Sequence, residues 1–207
     1  MNSPRYKKKK MRKTNLPMLF AGLLIVGVVF IFSINVLSDG SKTEEDSAQQ
    51  KEQVSKEQFI DRISPHAKEL QASYGVLPSI IIGQGILESN WGQSTLASKY
   101  NNLFGIKAYG DQKKVNLETR EYINEEWIVI QGDFRVYNTW EESMDDHTRL
   151  FVNGVTWNPR LYEHVLLAKN YKQAARALQD AGYATDPTYA DKVIHVIESY
   201  DLNQYDH

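Results

Sequence analysis

The 207-residue chain has no cysteine, which excludes disulfides, thiolate zinc sites and cysteine nucleophiles together. The fold must therefore be held by its core alone. Five histidines are scattered with no H-x-x-x-H pair, so no metal or other cofactor is expected. No phosphate-cradling glycine loop and no Ser-His-Asp pattern can be read in the chain. Residues 1–15 contain no acid, and residues 14–38 carry no charge of either sign. Residues 38–56 offer only two apolar side chains, Ala48 and Val54, too few to offset the entropy of ordering the chain. No internal repeat is present.

These absences divide the chain. Residues 1–15 hold seven basic groups, while residues 16–207 hold 17 basic and 26 acidic side chains. The overall net charge of -2 thus hides a basic tip on an acidic body, and an acidic body argues against nucleic acid as a partner. Residues 16–37, LPMLFAGLLIVGVVFIFSINVL, are long enough to cross the ~30 Å hydrocarbon layer as a helix. The run exceeds the ~7–15 residues usual in a cleavable signal peptide, and no A-x-A site follows. It reads as an uncleaved transmembrane anchor in the cell membrane, single-pass, with the basic tip (residues 1–15) cytoplasmic and everything after Asp39 outside, facing the cell wall. Residues 38–56 read as a flexible spacer and residues 57–207 as one folded unit.

Within that unit Phe59, Ile60 and Ile63 recur at helical spacing, and Ser64-Pro65 reads as a fresh helix start ending at Gly75. Pro78 opens a second helix, SIIIGQGILESN, apolar almost all round and so expected in the middle of the domain. Gly83 and Gly85 lower its propensity by about 1 kcal/mol each, as if another backbone packed there. After a short helix at 94–100 the pattern changes to period two. Residues 115–123 and 127–137 predict a hairpin joined around 124–126. Thr139 to Glu142 form a capping box for the next helix. An amphipathic helix over 170–182 follows, and Asp186-Pro187 starts the last one, reaching Tyr200. The pattern is mainly helical with one small inserted β lobe.

Glu88 falls in the last turn of the buried helix. The negative end of the helix dipole and burial both disfavour its charged form. Beside Trp91, it has the setting of a carboxylic acid kept protonated to act on a glycosidic oxygen; a carboxylate turned to solvent is the alternative reading. Glycosidases usually need a second carboxylate across the cleft. On the first predicted strand Glu121 shares a face with Val115, Leu117, Thr119 and Ile123, the face expected to turn inward. A cross-strand ion pair is the alternative for Glu121. All four tryptophans and eleven of twelve tyrosines lie in the folded unit; sugars bind on such platforms, although most of these rings must be core.

The stretches PSIIIGQGILESNWGQSTLA, NNLFGIKA, TREYI, FRVYNTWEESMDDHTRLF and YATDPTYADKVIHVIESYDLNQYD resemble, in order, the motifs of glycoside hydrolase family 73, bacterial peptidoglycan N-acetylglucosaminidases of the wall-autolysin and flagellar-rod type. The resemblance spans residues 57–207. It implies an α+β, lysozyme-like fold, with the cleft between a helical body and a β-hairpin lobe. The implied activity is cleavage of the β-1,4 bond on the reducing side of N-acetylglucosamine, of the endo-β-N-acetylglucosaminidase type. The implied partner is the peptidoglycan glycan strand. Glu88 maps onto the family's general acid, Glu121 onto its second acidic residue and Tyr189 onto a tyrosine beside the acid. Asn101, Asn102 and Phe104 would line the cleft floor, with Trp91 near the sugar. The chain departs from the family at Gly83 and Gly85, where alanine-type residues are common, and at the hairpin tip. A lytic transglycosylase or muramidase on the same fold, and a non-catalytic glycan-binding scaffold, are the competing readings.

Overall fold

The structure, a computed structural model, describes the backbone of residues 42–123 and 126–206 and the side chains of 55–119 and 129–206. The predicted basic tip and membrane span lie outside the described residues. Among the described residues no helix is long and apolar enough to cross a membrane. The elements are α1 (Lys42–Tyr74), α2 (Pro78–Ser89), α3 (Thr95–Tyr100), β1 (Lys114–Ile123), β2 (Glu126–Arg135), α4 (Trp140–Asn153), α5 (Glu163–Leu166), α6 (Tyr171–Asp180), α7 (Tyr189–Ser199) and a 3-10 turn, Leu202–Tyr205. The fold is mainly helical, with one two-stranded antiparallel sheet among the described residues.

α1 differs from expectation at two points. The chain is helical from Lys42, so most of the predicted spacer forms the first turns of α1; its Glu, Gln, Lys and Ala content favours helix. The predicted restart at Ser64-Pro65 is also absent, because α1 runs through Pro65. Proline removes one donor and crowds the carbonyl of Asp61. Both residues face solvent, where water can serve that carbonyl. On the opposite side Ile60, Ile63, Ala67 and Leu70 are all buried, an unbroken stripe at helical spacing that holds the helix together across the proline.

α2 is the centre of the core, as its composition predicts. Pro78 through Ile86 are buried, and α2 packs against α1, α7 and the 3-10 turn. Leu77 provides no side-chain cap. Instead Asp206, from the far end of the chain, accepts hydrogen bonds from the Ser79 backbone N–H (2.8 Å) and hydroxyl (2.7 Å), placing a carboxylate at the positive end of the helix. The two glycines meet side chains rather than a backbone. A Cβ at Gly83 would lie 3.1 Å from Ile197 of α7, and one at Gly85 would lie 3.5 Å from Ile63.

The hairpin pairs from Lys114↔Arg135 to Ile123↔Glu126. Val115, Leu117 and Thr119 are half-buried, whereas Asn116 and Glu118 are exposed, the alternation that a one-faced sheet requires. At the start of α4, Thr139 accepts from the Glu142 N–H as expected (3.2 Å). The reciprocal half of the box is displaced by one residue, because Glu142 accepts from the N–H of Asn138 (2.8 Å). The last helix begins at Tyr189, three residues later than expected, with Asp186 accepting from the Thr188 N–H (2.8 Å). The sequence pattern did not anticipate α5 or the 3-10 turn.

Candidate active site

The apolar run of α2 is interrupted by two polar residues four apart, Gln84 and Glu88, which share one face of the helix. Tyr189, the first residue of α7, meets both. Its hydroxyl accepts from Gln84 Nε2 (2.8 Å) and donates to Glu88 Oε1 (2.7 Å). A tyrosine hydroxyl has one proton. With Gln84 donating to the oxygen, that proton is committed to Oε1, and a proton on the carboxyl group itself belongs on Oε2. Glu88 Oε2 is buried and has no protein partner among the described residues. Burial is the dominant influence on this carboxyl and pushes its pKa up to about 8, with the Tyr189 hydrogen bond acting in the opposite direction. The residue as a whole is half-buried, with Oε2 in its buried part. Such a group is a carboxylic acid, and hence a proton donor, at neutral pH.

The support behind it is aromatic. Tyr183 stacks on Tyr189 at 5.5 Å, and His147 of α4 meets the Tyr183 ring edge-on at 5.9 Å. Phe104 stacks on His147 at 3.9 Å. Neither ring nitrogen of His147 has a partner among the described residues, and burial lowers its pKa to about 3. It therefore serves as a neutral aromatic plate. Burial likewise pushes the hydroxyls of Tyr183 and Tyr189 above the usual tyrosine range, further raised by the nearby Glu88 carboxyl. Both stay protonated.

Of the predicted site residues, Glu88 and Tyr189 are brought together. Asn101, Asn102 and Phe104 are not placed as a lining. Phe104 is fully buried, and Asn102 is only 1% exposed. The Asn102 amide bridges the carbonyls of Ile106 (2.9 Å) and Arg135 (3.0 Å) and accepts from the Ile106 N–H (3.0 Å). Asn101, in the left-handed region at the end of α3, donates to the carbonyls of Tyr137 and Asn138. These asparagines fasten the base of the hairpin to the body, a demand of buried backbone groups. Trp91 packs edge-on against Tyr200 (4.7 Å) and Phe59 (6.0 Å) with the Lys56 ammonium over its ring, on the α1 and α7 side. Glu121 lies opposite Ile128 in the hairpin register; its side chain is outside the described set. The sequence reading missed Gln84, Tyr183 and His147. A lone glutamine in an isoleucine-rich run, one turn before the acid, was the signal available for the first.

The turn that ends α2 fixes where Glu88 points. Asn90, Trp91 and Gly92 all have positive φ, at 50°, 60° and 74°. Ser89 accepts from the Gly92 N–H (2.7 Å) and locks the turn. A Cβ at Gly92 would lie 2.5 Å from Trp140, so only glycine fits there.

Comparison with known proteins places this geometry. The glucosaminidase family profile, described as mannosyl-glycoprotein endo-beta-N-acetylglucosaminidase, matches residues 64–202. The chain is 47% identical over 188 residues to the exo-glucosaminidase LytG of Bacillus subtilis, covering 88% of this chain and 67% of LytG. It is 37% identical over 159 residues to a probable N-acetylmuramidase of Lactococcus lactis subsp. cremoris, covering 73% and 35%. It thus spans from about a third to about two thirds of the length of these curated relatives. The catalytic domain of the autolysin Auto from Listeria monocytogenes has a TM-score of 0.67 at 36% identity, covering 82% of this chain and all of that domain. With its lysozyme-like helical body, its small hairpin and these matches, the chain belongs to the glucosaminidase family, glycoside hydrolase family 73.

Proposed function

We propose that this chain is a membrane-anchored peptidoglycan N-acetylglucosaminidase in which Glu88 is the general acid. The observation that carries the reading is the Glu88 carboxyl itself: buried, raised to about 8, and held on one oxygen by Tyr189 while the other is left unpartnered. Protonated Oε2 donates to the leaving oxygen of the β-1,4 bond, the C1–O bond breaks as the sugar alcohol departs, and Glu88 is left as the carboxylate. Tyr189 then stabilises the new negative charge through the hydrogen bond it already makes, and Gln84 keeps the hydroxyl turned that way. Glu121 is the second carboxylate. It either activates water or orients the substrate's acetamido group, should that group attack the anomeric carbon.

Supporting the substrate assignment are the family and the name of LytG, an exo-glucosaminidase; the muramidase name of the Lactococcus relative identifies the alternate bond as the rival. The anchor rests on the uncharged run 16–37 behind seven basic groups. From Lys42 to Phe59, the first buried residue described, α1 spans roughly 25 Å, which holds the site to membrane-proximal strands. The test is mass spectrometry of digested peptidoglycan after borohydride reduction. Reduced N-acetylglucosamine ends, absent with Glu88→Gln, are expected, and fragment sizes separate exo from endo action. Reduced muramyl or anhydro-muramyl ends would reassign the bond.

A further inference from the structure

Trp91 and Trp140 pack against the core, whereas Trp157 keeps 59% of its surface in solvent. Among the described residues no ring stacks on Trp157 and no group accepts from its indole N–H. The backbone beneath it is nonetheless fixed. Gly154 ends α4 with its N–H donating to the Leu150 carbonyl (2.9 Å) and its φ at 63°. A Cβ there would lie 2.5 Å from the backbones of Asn158 and Pro159, so the position requires glycine. Val155 and Asn158 then exchange both backbone hydrogen bonds (3.1 and 2.9 Å), and the Asn158 side chain accepts from the Arg160 N–H (3.1 Å). Thr156 and Trp157 are the two corners of this closed turn. Turn corners favour small or polar residues, and an exposed indole contributes nothing to closing one. The ring instead borders a cavity of about 750 Å³ formed with the loop after α3 and the outer face of α4. Tyr109, also 59% exposed, borders it as well. Ile106, Leu150 and Val155 give it aliphatic walls, and Asn153 and Thr156 add an amide and a hydroxyl.

We infer that Trp157 is a stacking platform for an N-acetylated sugar ring of the glycan strand, at a distance from the bond cut at Glu88. The inference rests on the peptidoglycan reading above. The volume bears on the kind of ligand: sites for small ligands enclose about 300–1,000 Å³, whereas a stable protein partner covers about 800 Å² on each side. The lining bears on its class. A pyranose presents an apolar C–H face and a rim of hydroxyl and acetamido groups, which an indole face with aliphatic, amide and hydroxyl neighbours matches. The cavity also adjoins the elements behind the proposed reaction. Ile106 and Arg135 in its wall are joined by the Arg135 N–H to Ile106 carbonyl bond (2.9 Å) at the base of the hairpin that carries Glu121. His147 of α4 abuts Tyr183, which stacks on Glu88's partner Tyr189. Asn153 lies six residues further along that helix, a rise of about 9 Å, which a few linked sugars cover.

The test uses the full chain carrying Glu88→Gln, sedimented with insoluble peptidoglycan freed of phosphate polymers and stripped of its peptides by an amide-cleaving enzyme. Trp157→Ala should weaken binding to this bare glycan about tenfold, and Trp157→Phe should stay within about threefold of the parent. Both variants should keep the parent Tm, because the ring lies outside the core. The loss should persist at about 0.5 M salt, since stacking on a neutral ring is not screened. Unchanged binding by Trp157→Ala would overturn the inference, as would equal losses in the alanine and phenylalanine variants. A loss seen only on peptidoglycan that retains its peptides would make the peptide the ligand and also overturn it. So would unchanged glycan binding accompanied by a change in oligomeric state, which would make Trp157 a contact between copies. Hydrolysis by the wild-type chain is scored separately: absent N-acetylglucosamine ends with the Trp157 dependence of binding intact reject the proposed reaction and keep the platform.

Discussion

Replacing Glu88 by glutamine should make the protein more stable at neutral pH, by an amount that grows with pH. In the unfolded chain this carboxyl loses its proton near 4.5, and in the folded chain near 8. Between those values the folded state binds the proton and the unfolded state does not, so stability is lost as pH rises through that window. At about 1.4 kcal/mol per pH unit, the loss reaches about 3 kcal/mol at pH 7 and about 5 kcal/mol above pH 8. Glutamine carries no charge and still offers an oxygen to Tyr189. Its amide places a donor where Oε2 had no partner, a pH-independent offset of about 1–3 kcal/mol in the opposite direction. The diagnostic is therefore the pH dependence of the difference between the two proteins. Urea and thermal melts followed by tryptophan fluorescence should show only that offset, against the variant, at pH 4, and a difference several kcal/mol more favourable to the variant at pH 8 than at pH 4. A difference that stays constant from pH 4 to 8 would refute the buried, protonated carboxyl.

Tyr189→Phe removes the one hydrogen bond that favours ionised Glu88. The alkaline limb of activity should move up by about 1–2 pH units, measured as reducing ends released against pH. His147→Phe should gain about 2 kcal/mol at pH 5 relative to its effect at pH 8. The native imidazole stays neutral down to about 3 while the unfolded one charges below 6.5, so the wild type loses stability as pH falls through that window; parallel denaturation at the two pH values checks this. Gly92→Ala should cost about 2–4 kcal/mol, combining the left-handed backbone with a collision against Trp140, and should appear as a lowered Tm.

The helical body was legible because its signals are local. The period of the apolar residues, Pro78 at a helix start and Gly75 just beyond a helix end each carry their message in a few neighbours. Glu88 was legible for the same reason, being the only acid in α2. Pro65 misled because continuity there depends on a buried stripe on the far side of α1, a tertiary effect that overrides a local breaker. The asparagines of NNLFG misled in another way. Their residue type suits a sugar contact equally well, and only the positions of Ile106, Arg135 and Tyr137 in space reveal that their amides serve backbone groups. Trp91 is similar, since sequence adjacency to Glu88 does not specify which side of a three-residue left-handed turn the ring takes. Tyr189 lies 101 residues from Glu88, and its meeting with Gln84 is set by the packing of α7 on α2, which no window of sequence contains.

The most direct test of Glu88 as proton donor is the pH dependence of the rate at which N-acetylglucosamine reducing ends are released from peptidoglycan by the wild-type chain, with Glu88→Gln as the control. The expected profile falls about tenfold per pH unit above about pH 8, as the acid is lost, with no turnover in the variant at any pH. A limb near 4.5, or turnover retained in Glu88→Gln, would contradict it.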